Sequence, residues 1–200
     1  MKKLALTDFA KYRYPSALEL SPDSRYLTFA LKDVDREGDG YRWNLWLYDL
    51  ERRESRQITQ GDDQRKAVWE DNTHILYKTT EPDEALRARG FEEEWTVYHR
   101  LNVCTGEDRE AFRLPMSVSG LWKMDEGRYV FTGETHLDRP NLLELTGEAL
   151  EKELVRRQQT KGYKVLTELP LCENGVGMFN QTRMTLFLYL EATGEYRRIT

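Results

Sequence analysis

The sequence has little of what most enzymes use to build a site. Of its 200 residues only two are cysteine (Cys104, Cys172) and three are histidine (His74, His99, His136), each histidine standing alone. A disulfide framework needs more cysteine, and a zinc site needs Cys or His at short spacing. Both cysteines are therefore expected to be reduced, half-buried packing residues, and no metal or other cofactor is expected. Serine occurs six times, at 16, 21, 24, 55, 117 and 119, and never in the G-x-S-x-G elbow that presents a hydrolytic nucleophile. Ser117 and Ser119, in Met116-Ser117-Val118-Ser119-Gly120, come nearest and read as the entry to a strand. No apolar run approaches the ~18 residues of a membrane span. After the basic start Met1-Lys2-Lys3, the residues Asp8, Lys11 and Arg13 cut the apolar stretch too early for a signal peptide. Positive charge is not in excess either: 30 Lys and Arg are interleaved with 35 Asp and Glu, for a net charge of −5 and a pI near 5.4. Binding a phosphate backbone needs clustered Lys and Arg. The expectation is a soluble cytoplasmic chain with no nucleic-acid or membrane partner.

What is present is material for a β-rich core. Hydrophobic residues make up 39% and aromatics 12%, and a chain of this length buries roughly 70% of its unfolded surface. Three segments share one order: short strand, turn, β-rich strand, loop, long aromatic strand, turn, short closing strand. In the first, Ala17-Leu18-Glu19-Leu20 is stopped by Ser21-Pro22-Asp23-Ser24, where Pro22 cannot donate to a ladder and Asp23 and Ser24 can satisfy turn amides. Residues 25–31, 44–50 and 55–59 supply the other three strands. The second segment repeats the order with strands at 66–69, 74–79, 95–102 and 110–114. The third has them at 119–124, 128–132, 184–190 and 196–200. The closings Arg56-Gln57-Ile58-Thr59 and Arg197-Arg198-Ile199-Thr200 are near copies.

A repeat of ~40–45 residues with four strands is the signature of a propeller blade. The expected fold class is all-β: a partial β-propeller of about three four-stranded antiparallel blades, near 17–59, 64–115 and 118–200, with a helical insertion in the third at 133–183. A smaller insertion, 80–94, carries a short helix at Glu84–Arg89 ending at Gly90. The larger one carries a helix at Glu148–Gln159 with Thr146 as its cap and the pairs Glu148–Lys152 and Glu153–Arg157 four residues apart. Its Leu150 and Leu154 could shield an apolar face. A strand-like stretch, Tyr163–Leu169, follows.

Candidate chemistry is sparse. Gly175-Val176-Gly177 is half of a phosphate-loop fingerprint, but no helix opens after it, so a turn is expected. Glu92-Glu93-Glu94 could concentrate negative potential against a substrate ammonium, or be the solvated end of a helical insertion. Trp46, Trp69, Trp95 and Trp122 occupy strand positions and read as filling between blades. No catalytic residue, no metal ligand and no defined substrate-binding residue is assigned.

The run Leu20-Ser21-Pro22-Asp23-Ser24-Arg25-Tyr26-Leu27-Thr28-Phe29, with Asn44-Leu45-Trp46-Leu47-Tyr48-Asp49-Leu50 and Arg56-Gln57-Ile58-Thr59, resembles the N-terminal propeller of the prolyl oligopeptidase family of serine peptidases. The acylaminoacyl-peptidase or dipeptidyl-aminopeptidase-like branch is the most similar. The opening Leu6–Tyr12 and the stretch Leu169–Gly177 share that resemblance. It implies a propeller that gates an α/β-hydrolase domain, with the catalytic triad beyond Thr200 and a peptide as substrate. The glutamate pair that holds the substrate amine in the dipeptidyl branch sits in a different strand pattern, so that role is not carried onto Glu92-Glu93-Glu94. Periplasmic propellers of the TolB type also use S-P-D-x repeats, which leaves a stand-alone protein-binding scaffold as the alternative. With terminal blades lacking neighbours, the 200-residue chain is expected to self-associate.

Overall fold

Alternation at period two, broken by turn residues that satisfy their own amides, builds the first sheet. The computed structural model describes residues 5, 8–35, 38, 40–61, 63–162, 171–173, 177–179 and 181–200. Strands β1 (Tyr14–Leu20), β2 (Tyr26–Asp35), β3 (Gly40–Asp49) and β4 (Glu54–Gln57) form an antiparallel meander in sequence order. At the first turn the Ser21 hydroxyl donates to Asp23 Oδ1 (2.6 Å) and accepts the Tyr26 amide (2.9 Å), and Ser24 takes a left-handed φ of 59°. At the third turn, Asp49 Oδ1 accepts the amides of Glu51 and Arg52, each at 3.0 Å. A bulge between Ser16 and Glu19 interrupts β1, with Ala17 at φ 50°.

The second sheet has the order β5 (Ala67–Trp69), β6 (His74–Pro82), β7 (Glu94–Asn102), β8 (Asp108–Leu114). The third is made of β9 (Val118–Asp125) and β10 (Arg128–His136), then, after a long excursion, β13 (Thr182–Leu190) and β14 (Glu195–Arg198), in the order β14-β13-β10-β9. Within that excursion β11 (Leu171–Glu173) and β12 (Gly177–Phe179) form a separate two-stranded hairpin. Helices are few: α1 (Glu84–Arg87), α2 (Gly147–Gln159) and short 3-10 turns at Asp8–Lys11 and Leu142–Glu144.

Three four-stranded antiparallel meanders are what a partial β-propeller requires, and the long aromatic strands lie where the repeat placed them. The expected stretch Tyr163–Leu169, the first two residues of the lead-in Leu6–Tyr12 and part of Leu169–Gly177 lie outside the described residues. The strands flanking the long insertion reach further than the repeat suggested, to His136 on one side and from Thr182 on the other.

The chain divides into two compact units, Met1–Thr79 with Val97–Arg113, and Thr80–Thr96 with Leu114–Thr200. In the first unit one face of the first sheet meets the second sheet. Ala30, Leu45 and Leu47 share a core with Ala67, Ile75, Tyr77, Leu101 and Val103. The joint is fastened by Trp69 Nε1 donating to the Glu19 carbonyl (3.1 Å) and by the ion pair Lys66–Glu19 (3.4 Å). In the second unit the third sheet stacks Phe131 on Phe187 (5.0 Å between centroids), with Tyr196 edge-on to both.

The near-identical closings perform one job. Leu45 donates its amide to Thr59 Oγ1 (2.8 Å) and accepts the Ile58 amide on its carbonyl (2.8 Å). Leu186 donates to Thr200 Oγ1 (3.3 Å) and accepts the Ile199 amide (2.8 Å). The threonine hydroxyl thus replaces a ladder partner after the closing strand has ended.

Two expectations are corrected. Of Trp46, Trp69, Trp95 and Trp122, read as filling between blades, Trp69 does pack against the core between the first and second sheets and Trp46 and Trp95 are half-buried, but Trp122 is 48% exposed because it lies on a face that the described residues leave open. Cys104 is an exposed free thiol in the β7–β8 turn rather than a packing residue; the Cys172 side chain lies outside the description. Thr59 is buried, so Thr59→Val should leave the Leu45 amide unsatisfied and cost about 1–3 kcal/mol. Denaturant unfolding monitored by tryptophan fluorescence checks this, and Ser55→Ala on the exposed closing strand should be near neutral.

Candidate functional site

The second unit holds a concave surface lined by residues of both insertions, of strands β7, β10, β13 and β14, and of the segment 115–117. Asp83 caps α1, its Oδ1 accepting the Leu86 amide (2.9 Å) and its Oδ2 the Trp95 indole N–H (3.2 Å). Those bonds, the Leu86 amide first, hold its carboxyl below the usual range. The helix stops within one turn because Gly90 adopts φ 82° and the Phe91 amide returns to the Leu86 carbonyl (3.1 Å). Leu86 is buried with Leu142 and Leu154, and Phe91, Leu143, Leu145 and Leu150 pack around them. The two insertions therefore share one small core. The anticipated shield of Leu150 and Leu154 is spent on α1.

Arg157 locks this arrangement. Its Nη1 donates to Glu93 (2.7 Å), its Nε to Glu153 (3.0 Å) and its Nη2 to the Pro140 carbonyl (2.6 Å). The expected Glu153–Arg157 pair is present, joined by Arg156 on the same carboxylate (2.7 Å). Arg156 chiefly, with Arg157, lowers the Glu153 pKa. Among the described contacts Glu148 and Lys152 do not pair, and Thr146 occupies the cap position of α2 without a side-chain cap bond.

The resulting cleft has a volume of about 530 Å³. Its lining brings Glu92, Glu93 and Glu94 together with Glu134 and Glu144, and sets Arg139, Arg157 and Arg198 among them. Of the acidic run, Glu93 is neutralised by Arg157, whereas Glu92 and Glu94 are exposed. Glu144 accepts the Tyr196 hydroxyl; burial first, then that carboxylate, pushes the phenol pKa up. Met116 reaches across to the third sheet at Gly133, where a Cβ would stand 2.5 Å from its sulfur. A side chain there would have to push the Met116 thioether aside.

Ser117 and His136 both line this cleft, but they do not form a nucleophile and base. His136 Nε2 lies 3.0 Å from Arg139 Nη2, which can only donate, so the neutral ring carries its proton on Nδ1, 3.3 Å from Thr182 Oγ1. Burial and then Arg139 lower the His136 pKa. Among the described residues no hydrogen bond joins the Ser117 hydroxyl to that ring. Ser119 Oγ is engaged by Thr132 Oγ1 (2.7 Å). His74 and His99 lie in the first unit, beside Asp71 and Asp108. No cluster of three or more metal-ligating side chains occurs among the described residues, and no helix there is long and apolar enough to cross a membrane. Of the Gly175-Val176-Gly177 motif, only Gly177 lies within the described residues.

Arg157 and Glu153 are both about one-tenth exposed. Arg157→Ala should therefore strand partly buried carboxylates and destabilise the second unit by about 2–3 kcal/mol. Arg89→Ala removes an exposed bidentate pair with Glu151 and should cost less than about 1 kcal/mol. Paired urea titrations separate the two.

No family model and no curated protein matches the sequence. Solved structures do. The acylaminoacyl peptidase of Pyrococcus horikoshii superposes with a TM-score of 0.62 at 13% identity, over 96% of this chain and 26% of that one. The AtxE2 isopeptidase gives 0.52 at 13% identity, over 94% and 30%. The tricorn protease gives 0.53 at 9% identity, over 92% and 18%. The chain thus spans about a quarter of the length of the acylaminoacyl peptidase it matches, and the likeness is one of fold.

Proposed function

We propose that this chain is the opening portion of a β-propeller in a larger cytoplasmic serine peptidase of the acylaminoacyl-peptidase type. In this reading the propeller admits short peptides to an α/β-hydrolase domain carried further along the polypeptide and excludes folded proteins. The carrying observation is the superposition on an acylaminoacyl peptidase over 96% of this chain but 26% of that one. The cleft between the insertions and the third sheet agrees with it. Carboxylates and guanidiniums in its lining suit the two charged ends of a short peptide, while Ser117, Ser119 and His136 lack the mutual geometry of a nucleophile and base. In the longer polypeptide this reading implies, further blades cover the outer faces of the first and third sheets.

The test compares the 200-residue chain with the product of its complete reading frame. The 200-residue chain should resist a fluorophosphonate probe and leave acylated aminoacyl chromogenic substrates intact. The complete product should be labelled on a serine outside residues 1–200 and should turn the substrate over. Labelling of the short chain that disappears with Ser117→Ala or Ser119→Ala would refute the reading. A reading frame that stops soon after Thr200 would favour the protein-binding scaffold instead.

A further inference from the structure

The cleft of the second unit sets three arginines among five glutamates, and the three guanidiniums are not equally engaged. Arg157 is held by Glu93, Glu153 and the Pro140 carbonyl. Arg198 donates to the Thr200 carbonyl. Arg139 alone has neither a carboxylate nor a carbonyl among its described contacts; its Nη2 lies 3.0 Å from His136 Nε2, the acceptor nitrogen of a neutral ring. One imidazole nitrogen is a poor match for a planar fork of five donors, which fits a carboxylate through two parallel bonds. Pro115, Met116 and Leu143 give the same lining an apolar part, and its volume of about 530 Å³ is that of a small-ligand pocket.

His136 makes the Arg139 contact depend on pH. Its Nδ1 keeps a hydrogen in either charge state, 3.3 Å from Thr182 Oγ1, so Nε2 is the nitrogen that titrates. Burial first and then Arg139 hold the ring neutral, against Glu134, Asp138 and Glu93, the carboxylates that face it. Once Nε2 takes a proton it can no longer accept from Arg139, and Glu134, 3.9 Å away, is the carboxylate in reach of it. The guanidinium then loses its acceptor while a second positive charge stands beside it. A carboxylate ligand satisfies both.

We propose that Arg139, with His136 as its neighbour, binds the free C-terminal carboxylate of a short peptide. An acylated peptide has no terminal ammonium, so the C-terminal carboxylate is the one charge its backbone carries. A guanidinium at a fixed place in the cleft therefore selects peptides short enough to bring that carboxylate to it. The glutamates of the lining repel extended polyanions and leave a single carboxylate, held at contact, as the anion that fits. Naming a peptide as the ligand rests on the peptidase reading; the carboxylate site itself rests on Arg139 and His136.

Isothermal titration calorimetry on the 200-residue chain tests it, with N-acetyl-alanyl-phenylalanine and the C-terminal amide of the same peptide. The acid should bind about tenfold tighter than the amide, the size of one hydrogen-bonded charge. Arg139→Gln should bring the acid down to the amide, and Arg139→Lys should recover part of the preference. Between about pH 8 and about pH 5.5 the peptide carboxylate stays ionised while histidine titrates. The bound carboxylate raises the His136 pKa, so the complex takes up a proton and the acid should bind severalfold tighter at the lower pH. His136→Gln should remove that difference. Far-UV circular dichroism verifies the sheets, and Arg139→Ala replaces a glutamine variant that loses them. Equal binding of acid and amide, no binding of either, or an acid preference that survives Arg139→Gln overturns the proposal. A complete product that cleaves acylated substrates while this chain shows no acid preference would sink the site and keep the peptidase reading. An acid preference in a protein whose reading frame stops soon after Thr200 would do the reverse.

Discussion

A sheet that is apolar on both faces cannot be stable alone, and most features of this chain follow from that constraint. A four-stranded meander with one wet side would alternate apolar and polar residues along each strand. Here the central strands carry large apolar side chains at consecutive positions, as in Leu45-Trp46-Leu47-Tyr48 and Leu186-Phe187-Leu188-Tyr189. Each sheet therefore needs a neighbour on either side, which is the condition a propeller satisfies. The joint between the first and second sheets shows the working form. Small and branched side chains on one face, Thr28, Ala30, Leu45 and Leu47, receive the larger Ile75, Tyr77 and Trp69 on the other. The closing run Glu54-Ser55-Arg56-Gln57 is wholly exposed.

The cleft is shared between the insertions and the third sheet. Glu134, His136, Phe187, Tyr196 and Arg198 line it from the strands, and chain that leaves the blades between their second and third strands adds Glu92, Glu93, Arg139 and Arg157. Two such departures, residues 83–93 and 137–181, meet over Leu86, Leu142 and Leu154. The buried guanidinium of Arg157 ties Glu93 of one to Glu153 and the Pro140 carbonyl of the other. Neutralising Glu93 in this way leaves Glu92 and Glu94 as the accessible members of the acidic run, in a lining that also carries Arg139 and Arg198. The cleft is mixed in charge, not a uniform negative sink.

Much of the fold could be read from the sequence because its determinants are local. The turn Ser21-Pro22-Asp23-Ser24 sets its own hydrogen bonds, and the Arg-x-Ile-Thr closings mark the ends of the first and third sheets. What could not be read depends on partners distant in sequence. Leu86 and Leu154 are 68 residues apart, and nothing in either segment signals that they meet. The partners of Arg157 were half visible: Glu153, one helical turn away, was expected, whereas Glu93 was not. Trp122 was read as filling because it stands on a strand; which face it occupies depends on the bulges that set the register of β9 against β10. Cys104 was read as packing on residue type alone, while its turn holds it in solvent, its amide donating to the Asn102 side chain (2.9 Å).

The most direct test of the two-faced sheet is amide hydrogen exchange followed by mass spectrometry on the 200-residue chain and on the product of its complete reading frame. Peptides covering Leu27–Leu31 and Leu186–Leu190 carry the outer faces of the first and third sheets, whereas Ile75–Tyr77 is already packed within the first unit. The account predicts that exchange in the first two is slower in the complete product, while exchange at Ile75–Tyr77 is the same in both. Equal exchange in both proteins in all three segments would mean that these sheets are complete without a neighbour, and would contradict it.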